Sequence, residues 1–315
     1  MRWAYRRGAQ SFEEMSDIGR PLRAALADAF ALPVLPLADV QRSADGTRKL
    51  LFALGGGVAV ESVLIPDSPR LTACISSQAG CAMGCQFCAT ARLGLRRNLS
   101  AVEIAGQLAV AYRVLEPDER ITNVVFMGMG EPLHNYDALV EAIEILSADW
   151  GFGLSARRIT VSTVGLLPQL QRLVRETPVS VAVSLTATTD ALRTRLMPVN
   201  RRYPLGDLFA TCRALPIAQR RRITFEYVLL AGVNDAPADA TRLVALLHGI
   251  RAKVNLIPFN PFPDSGFAPP TPAVVERFHR RLLDAGVSAS VRVTRGRDIQ
   301  AACGQLAAHR AAAAV

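Results

Sequence analysis

Four of the chain's six cysteines fall within fifteen positions, in CISSQAGCAMGCQFCATARLG, at offsets of seven, four and three. Cys81, Cys85 and Cys88 form CxxxCxxC on a loop after an apolar β-like run, with Phe87 just before the last thiol. A structural zinc site closes a tetrahedron with four ligands. No second CxxC exists, and the four histidines, His134, His248, His279 and His309, lie far along the chain. Three thiolates on one short loop instead suit three irons of a 4Fe-4S cluster, leaving the fourth iron open. An open iron can chelate the amino and carboxylate groups of S-adenosylmethionine. One electron then cleaves the sulfonium to methionine and a 5'-deoxyadenosyl radical.

Chemistry on a loop needs elements that aim it. From residue 71 short β-rich runs alternate with helical ones: LTACIS, then AVEIAGQLAVAYRVL; ITNVVFMG, then YDALVEAIEILS; RRITVST, then LLPQLQRLVRE. SVAVSLTA, RRITFEYVLL, KVNLIPF and SASVRVT continue the series. The pattern predicts an α/β fold with a parallel sheet, either doubly wound or closed toward a barrel. Cysteines 81 to 88 follow the first strand, GMGEP (128 to 132) ends the second, and Ser162 lies in the third. Ser184 belongs to the fourth, and Asn260 follows the sixth. Carboxyl ends of strands form the ligand face in such folds, so these residues are expected to converge on one site. GMG is not a dinucleotide loop, because Leu133 takes the third glycine position of GxGxxG.

Ahead of this core, residues 1 to 32 read as a helical segment and 33 to 70 as a hairpin and linker. LLFAL and VAVESVLIP flank the turn at Gly55 to Gly57. The core is expected over 71 to 308, with 309 to 315 a tail. Half of the 315 residues are hydrophobic, enough for a large core, and no run of about twenty apolar residues reads as a membrane span. MRWAYRRG carries no apolar h-region behind it, so a reducing cytoplasm is the expected compartment, where clustered thiols point to metal or redox chemistry. The net charge of +9 rests almost wholly on arginine, since Lys49 and Lys253 are the only lysines. Arginine suits phosphate contacts, but charge alone leaves nucleic-acid binding and a merely arginine-rich composition equally open.

The longer string ACISSQAGCAMGCQFCATARLG resembles the radical S-adenosylmethionine rRNA adenine methyltransferases, the RlmN/Cfr family. Further matches are VVFMGMGEPLHNYD, RRITVSTVGLLPQL, RLMPVNRRYPL, ITFEYVLLAGVND, NLIPFNPFPDS and RGRDIQAACGQLA, in the family's order. The resemblance implies a partial (βα)6 barrel of the radical S-adenosylmethionine type. It implies one 4Fe-4S cluster on Cys81, Cys85 and Cys88. S-adenosylmethionine would then be held by Gly130, Glu131, Ser162, Ser184, Leu185, Thr186 and Asn260. Glu131 would accept from the ligand's ammonium, and Gly130 would let the backbone approach the ligand closely. The family often has histidine where this chain has Thr186.

By the same resemblance Cys303 is the cysteine methylated on sulfur, Cys74 the second reactive cysteine and Glu61 the proton acceptor. Alone, Cys303 and Cys74 would read as packing residues and Glu61 as a solvent-face carboxylate. Cys212 has no motif context and reads as structural. In the family scheme one S-adenosylmethionine methylates Cys303, and a radical from a second activates that methyl group. The base is then linked to Cys303 and released as Cys74 and Cys303 form a disulfide.

The expected substrate is carbon-2 of one adenosine in 23S rRNA, and an adenosine in some tRNAs. A Cfr-like carbon-8 methylase and a non-catalytic iron-sulfur or zinc RNA-binding protein are the alternatives. Arg96, Arg97, Arg157, Arg158, Arg201, Arg202 and Arg220 to Arg222 are candidate phosphate contacts. A flavodoxin- or ferredoxin-type reductant is the implied electron donor, and a monomer the expected state. The first thirty residues resemble only the later portion of the family's helical accessory domain, so either the start lies upstream or the appendage is shortened.

Overall fold

The computed structural model describes residues 2–32 and 35–308; the tail expected at 309–315 lies outside the described residues. Two short helices, α1 (Arg2–Arg6) and α2 (Arg20–Ala29), form the amino-terminal segment. Arg6 Nε donates to the Gly151 carbonyl at 2.9 Å, and the Tyr5 ring lies 5.3 Å from that of Phe152, so the segment is docked on the main body.

A four-stranded antiparallel meander follows: β1 (Leu37–Arg42), β2 (Arg48–Ala53), β3 (Ala59–Asp67) and β4 (Arg70–Cys74). The β2–β3 hairpin is the one expected around the three glycines. β1 was not legible, because LADVQR mixes charges into its alternation and pairs only one edge of β2.

After β4 come β5 (Gln78–Gly80), α3 (Ala89–Arg92), β6 (Leu95–Asn98) and α4 (Ala101–Arg113). α4 begins at a capping box: Ser100 Oγ accepts from Glu103 N at 3.2 Å, and Glu103 Oε2 accepts from Ser100 N at 2.9 Å. Then β7 (Asn123–Phe126), α5 (Tyr136–Ser147), β8 (Ile159–Thr163), α6 (Leu167–Glu176) and β9 (Ser180–Ser184) alternate. The chain continues through α7 (Asp190–Leu196), α8 (Leu205–Ala214), β10 (Ile223–Leu229), α9 (Pro237–Leu247), β11 (Ala252–Pro258), α10 (Pro272–Asp284) and β12 (Ala289–Val291).

The large sheet runs β1-β2-β3-β4-β7-β8-β9-β10-β11-β12, and from β4 onward every pairing is parallel. Its order never reverses. A doubly wound sheet reverses at a switch point, whereas right-handed crossovers that always advance put every covering helix on one face. The open alternative is thereby settled in favour of a partial barrel, its first and last parallel strands left unjoined. The meander extends the same sheet rather than standing apart from it.

Cys212 lies in the main hydrophobic core, as read from its helix. A second, smaller apolar cluster of Cys85, Leu196, Met197, Leu230 and Phe259 sits under the cysteine loop. Among the described residues no helix is long and apolar enough to cross a membrane.

Candidate active site

The cysteine loop is held open by a device that sequence periodicity does not show. β5 and β6 pair antiparallel as a separate two-stranded sheet, bracketing residues 81 to 94. Gly94 O accepts from Cys81 N at 3.0 Å, and a Cβ on Gly80, whose φ is +76°, would lie 1.8 Å from that same oxygen. Only glycine permits this closure. Gln86 N donates to Leu196 O at 2.9 Å, and Cys88 N to Cys85 O at 3.2 Å.

The three sulfurs face one cavity at the carboxyl ends of the parallel strands. Gly130, Glu131, Ser162, Ser184, Thr186 and Asn260 line it as well, together with Cys303. Residues spread over more than two hundred positions thus meet as expected. The cavity volume is about 140 Å³. Burial pushes the Cys81 thiol up to about 12 and raises Cys85 and Cys88 as well. Thiolates at these positions need a bound cation to offset the cost of burial.

Glu131 is 3% exposed. Its Oε2 accepts from Val164 N at 2.8 Å and its Oε1 from Leu133 N at 3.1 Å, yet among the described residues no cation pairs with it. Desolvation outweighs those amides and raises its pKa to about 7. Thr186 is fully buried, its hydroxyl has no partner, and its φ of +57° is unusual for a side-chain-bearing residue. An unpaired carboxylate and an orphan hydroxyl beside three thiols fit a thiolate-held cluster and a ligand that carries an ammonium group. Among the described residues no three His, Cys, Asp or Glu side chains close on one ion-sized point.

The other expected residues divide. Asn260 Nδ2 donates to Cys303 O at 3.2 Å, and Asn260 Oδ1 accepts from Thr294 Oγ1 at 3.0 Å, so this amide joins the pocket to the Cys303 segment. Leu185 does not line the cavity: its side chain is in the core, its N–H goes to Glu226 O at 2.9 Å and its carbonyl accepts from Arg193. Gly130 lines the cavity and has a further reason to be glycine. With φ +100°, its Cβ would strike Gln78 Cβ at 2.5 Å, so the close approach is to Gln78, whose Oε1 accepts from Glu131 N at 2.8 Å.

Cys74 and Cys303 line a second, smaller cavity with Asn260 and Arg292. Both are free thiols, so the disulfide expected from the resemblance is not formed in this structure. Burial raises Cys74 to about 12, with Cys303 adding to the shift and Arg292 opposing it. The Cys303 segment is laced to the cysteine loop, since Ala89 N donates to Gly304 O at 2.8 Å and Thr90 Oγ1 to Leu306 O at 2.6 Å.

Glu61 stands outside both cavities. Its Oε1 pairs with Lys49 Nζ at 3.1 Å, and its Oε2 accepts from Ala307 N and Ala308 N at 3.0 Å each. It is a buried ion pair, not the solvent-face carboxylate that β alternation suggests, because the carboxyl-terminal segment covers that side.

The candidate arginines fall at opposite ends of the sheet. Arg96 and Arg97 on β6, and Arg201 and Arg202 between β9 and α8, belong to connections at the carboxyl ends of strands. Arg157, Arg158 and Arg220 to Arg222 precede β8 and β10, at the far end.

Sequence reading missed Glu226 and Arg292. Buried Glu226 lines the main cavity and Asn255 Nδ2 donates to it at 3.0 Å; Arg292 influences both Cys303 and Glu226. A carboxylate inside the apolar run ITFEYVLL was the available signal for the first; nothing local distinguished the second.

The sequence matches the family model of the radical SAM superfamily over residues 75–244, and that of the ribosomal RNA large subunit methyltransferase N-terminal domain over 1–32. The dual-specificity RNA methyltransferase RlmN of Syntrophobacter fumaroxidans is 53% identical over 98% of this chain and 90% of its own. That of Anaeromyxobacter dehalogenans is 54% identical over 98% of this chain and 84% of its own. Among solved structures, a radical SAM methyltransferase from Sphaerobacter thermophilus superposes with a TM-score of 0.93 at 47% identity, covering 98% of this chain and 91% of that one.

Proposed function

The chain belongs to the RlmN family of radical S-adenosylmethionine RNA methyltransferases, and from that premise we propose that it methylates carbon-2 of one adenosine in 23S rRNA and of an adenosine in some tRNAs. It is an RNA adenine methyltransferase with a 4Fe-4S cluster and S-adenosylmethionine as cofactors. The observation that carries the residue roles is the single cavity shared by the three loop cysteines, Glu131 and Cys303, while the choice of carbon-2 follows the relatives of the RlmN family.

When bound, the cluster and S-adenosylmethionine supply one-electron cleavage of a sulfonium. Cys81, Cys85 and Cys88 would hold the cluster. Glu131 receives the ligand's ammonium, which relieves the cost of a buried carboxylate without a cation. Ser162, Ser184, Thr186 and Asn260 line the rest of the pocket, with Thr186 offering its spare hydroxyl. Leu185 stands behind them, its N–H bonded to Glu226 O and its carbonyl to Arg193. Cys303 carries the methyl group, placed by Asn260, and the smaller cavity beside it lets Cys74 reach its sulfur when the RNA is released. Glu61, the family's proton acceptor, acts here only if the carboxyl-terminal segment lets go of it.

The amino-terminal segment, 1–32, and the arginines at the carboxyl ends of the strands are assigned to RNA, and residues 71–308 to the catalytic core. The electron donor is a flavodoxin- or ferredoxin-type protein, and the enzyme works as a cytoplasmic monomer. Anaerobic incubation of the reconstituted protein with a low-potential reductant, methyl-labelled S-adenosylmethionine and an rRNA fragment tests the reading. Label is expected at adenine carbon-2 and, transiently, on Cys303. Label at carbon-8 would instead make it a Cfr-like enzyme, and label in neither place would overturn the assignment.

A further inference from the structure

Arg193 is the largest of the fully buried side chains and is not among the residues expected at the site. It sits on α7 and spends all five donors on neutral oxygens. Nε donates to Leu185 O at 3.3 Å, Nη1 to Asn200 Oδ1 at 2.9 Å and Tyr203 O at 3.3 Å, and Nη2 to Val164 O at 2.8 Å and Ser184 O at 3.3 Å. Among the described residues no carboxylate lies within ion-pair distance of it. Asp190, one turn earlier, instead accepts from Leu205 N at 2.8 Å and Asn200 Nδ2 at 3.0 Å.

A buried cation without an anion is expensive, and fully hydrogen-bonded neutral partners offset only part of the cost. Arg193 is tied to Cys85 through its own helix. Leu196 and Met197, at the end of the same helix, pack on Cys85, and Leu196 O receives Gln86 N. Burial pulls the guanidinium down to about 10, still charged at neutral pH, and the Cys85 sulfur is the strongest influence in the opposite direction. With a cluster in place the cation gains an anion: three thiolates outweigh the charge of the oxidised cube.

We propose that Arg193 is the resident counter-cation of the iron-sulfur cluster, raising its reduction potential while its fork ties together the ends of β8 and β9 that line the S-adenosylmethionine pocket. Reduction adds one electron from a low-potential reductant to an already anionic cluster. A fixed positive charge behind Cys85 favours that added charge, and the apolar side chains around it keep water from screening the effect. This rests on the cluster occupying Cys81, Cys85 and Cys88. Arg193 is a positioning residue, since no part of it lines the cavity.

The test is a redox titration of the reconstituted full chain, followed by electron paramagnetic resonance without S-adenosylmethionine. Arg193→Gln is expected to lower the one-electron reduction constant roughly tenfold, a shift of about 59 mV toward more negative potential. Arg193→Lys, which keeps the charge and loses the fork, is expected to hold the wild-type potential and bind S-adenosylmethionine more weakly. A loaded Gln variant with the wild-type potential overturns the proposal. Should that variant hold no iron, Arg193→His decides: a potential that falls as pH rises through the imidazole range supports it, and a pH-independent potential overturns it. Wild-type protein that takes up no iron and sulfide would remove the cluster reading itself, a separate failure.

Discussion

Asn260 holds Cys303 by its backbone: the amide donates to the Cys303 carbonyl at 3.2 Å while its own oxygen is fixed by Thr294. A side chain that lines the main cavity therefore also fixes where Cys303 stands. Asn260→Ala removes two neutral hydrogen bonds, together about 1–2 kcal/mol. Transfer of methyl to Cys303 in one turnover is expected to slow about tenfold, followed by mass spectrometry of the intact protein. Iron and sulfide content should be unchanged; cluster loss in this variant would mean that Asn260 serves the fold rather than Cys303.

Glu131 makes the ligand-free protein sensitive to pH. Its folded pKa of about 7 lies above the ordinary 4.5, so across that window the folded state keeps a proton that the unfolded chain has released. Stability therefore declines as pH rises through the window, by on the order of 3 kcal/mol, and levels off above it. Urea melts of cluster-free wild type at about pH 5 and about pH 8 should differ in this direction. Glu131→Gln should shrink the difference, leaving the part due to Glu226, which burial also raises.

Gly130→Ala combines a left-handed backbone with a Cβ pressed against Gln78. A loss of about 2–4 kcal/mol is expected from strain and overpacking, read as a lowered Tm. An unchanged Tm would show that Gln78 can withdraw without cost.

The two sets of arginines give opposite expectations. Charge reversal at Arg96 and Arg202 should weaken RNA binding and make its logarithmic salt dependence shallower by roughly one for each phosphate no longer neutralised. The same change at Arg220 and Arg222, at the far end of the strands, should leave both nearly unaltered. Equal effects from the two pairs would place RNA elsewhere than over the cavity.

Glu61→Gln leaves Lys49 buried without its partner, a cost of about 3–5 kcal/mol. The amides of Ala307 and Ala308 lose a charged acceptor at the same time. Hydrogen exchange over residues 301 to 308 should accelerate. Adding Lys49→Met should recover part of the stability, because the pair is coupled.

What sequence conveys here is local period and motif. The alternation after residue 71 carried the parallel strands, and CxxxCxxC carried the loop that ends the first of them. The strand order was not legible, since an advancing and a reversing sheet have the same alternation of elements. The β5–β6 bracket was missed for a related reason: three residues pair across a loop of fourteen, too short to show a period. Glu61 was misread because its face is covered by residues about 245 positions away, and Arg193 was overlooked because a charged residue on a helix ordinarily faces water.

The bonds from Ala89 to Gly304 and from Thr90 to Leu306 have a consequence for how the enzyme ages. Under the proposed function, iron lost to air from the loop cysteines would loosen the turn to which the Cys303 segment is bonded, so that damage at the cluster would reach the proposed methyl carrier as well.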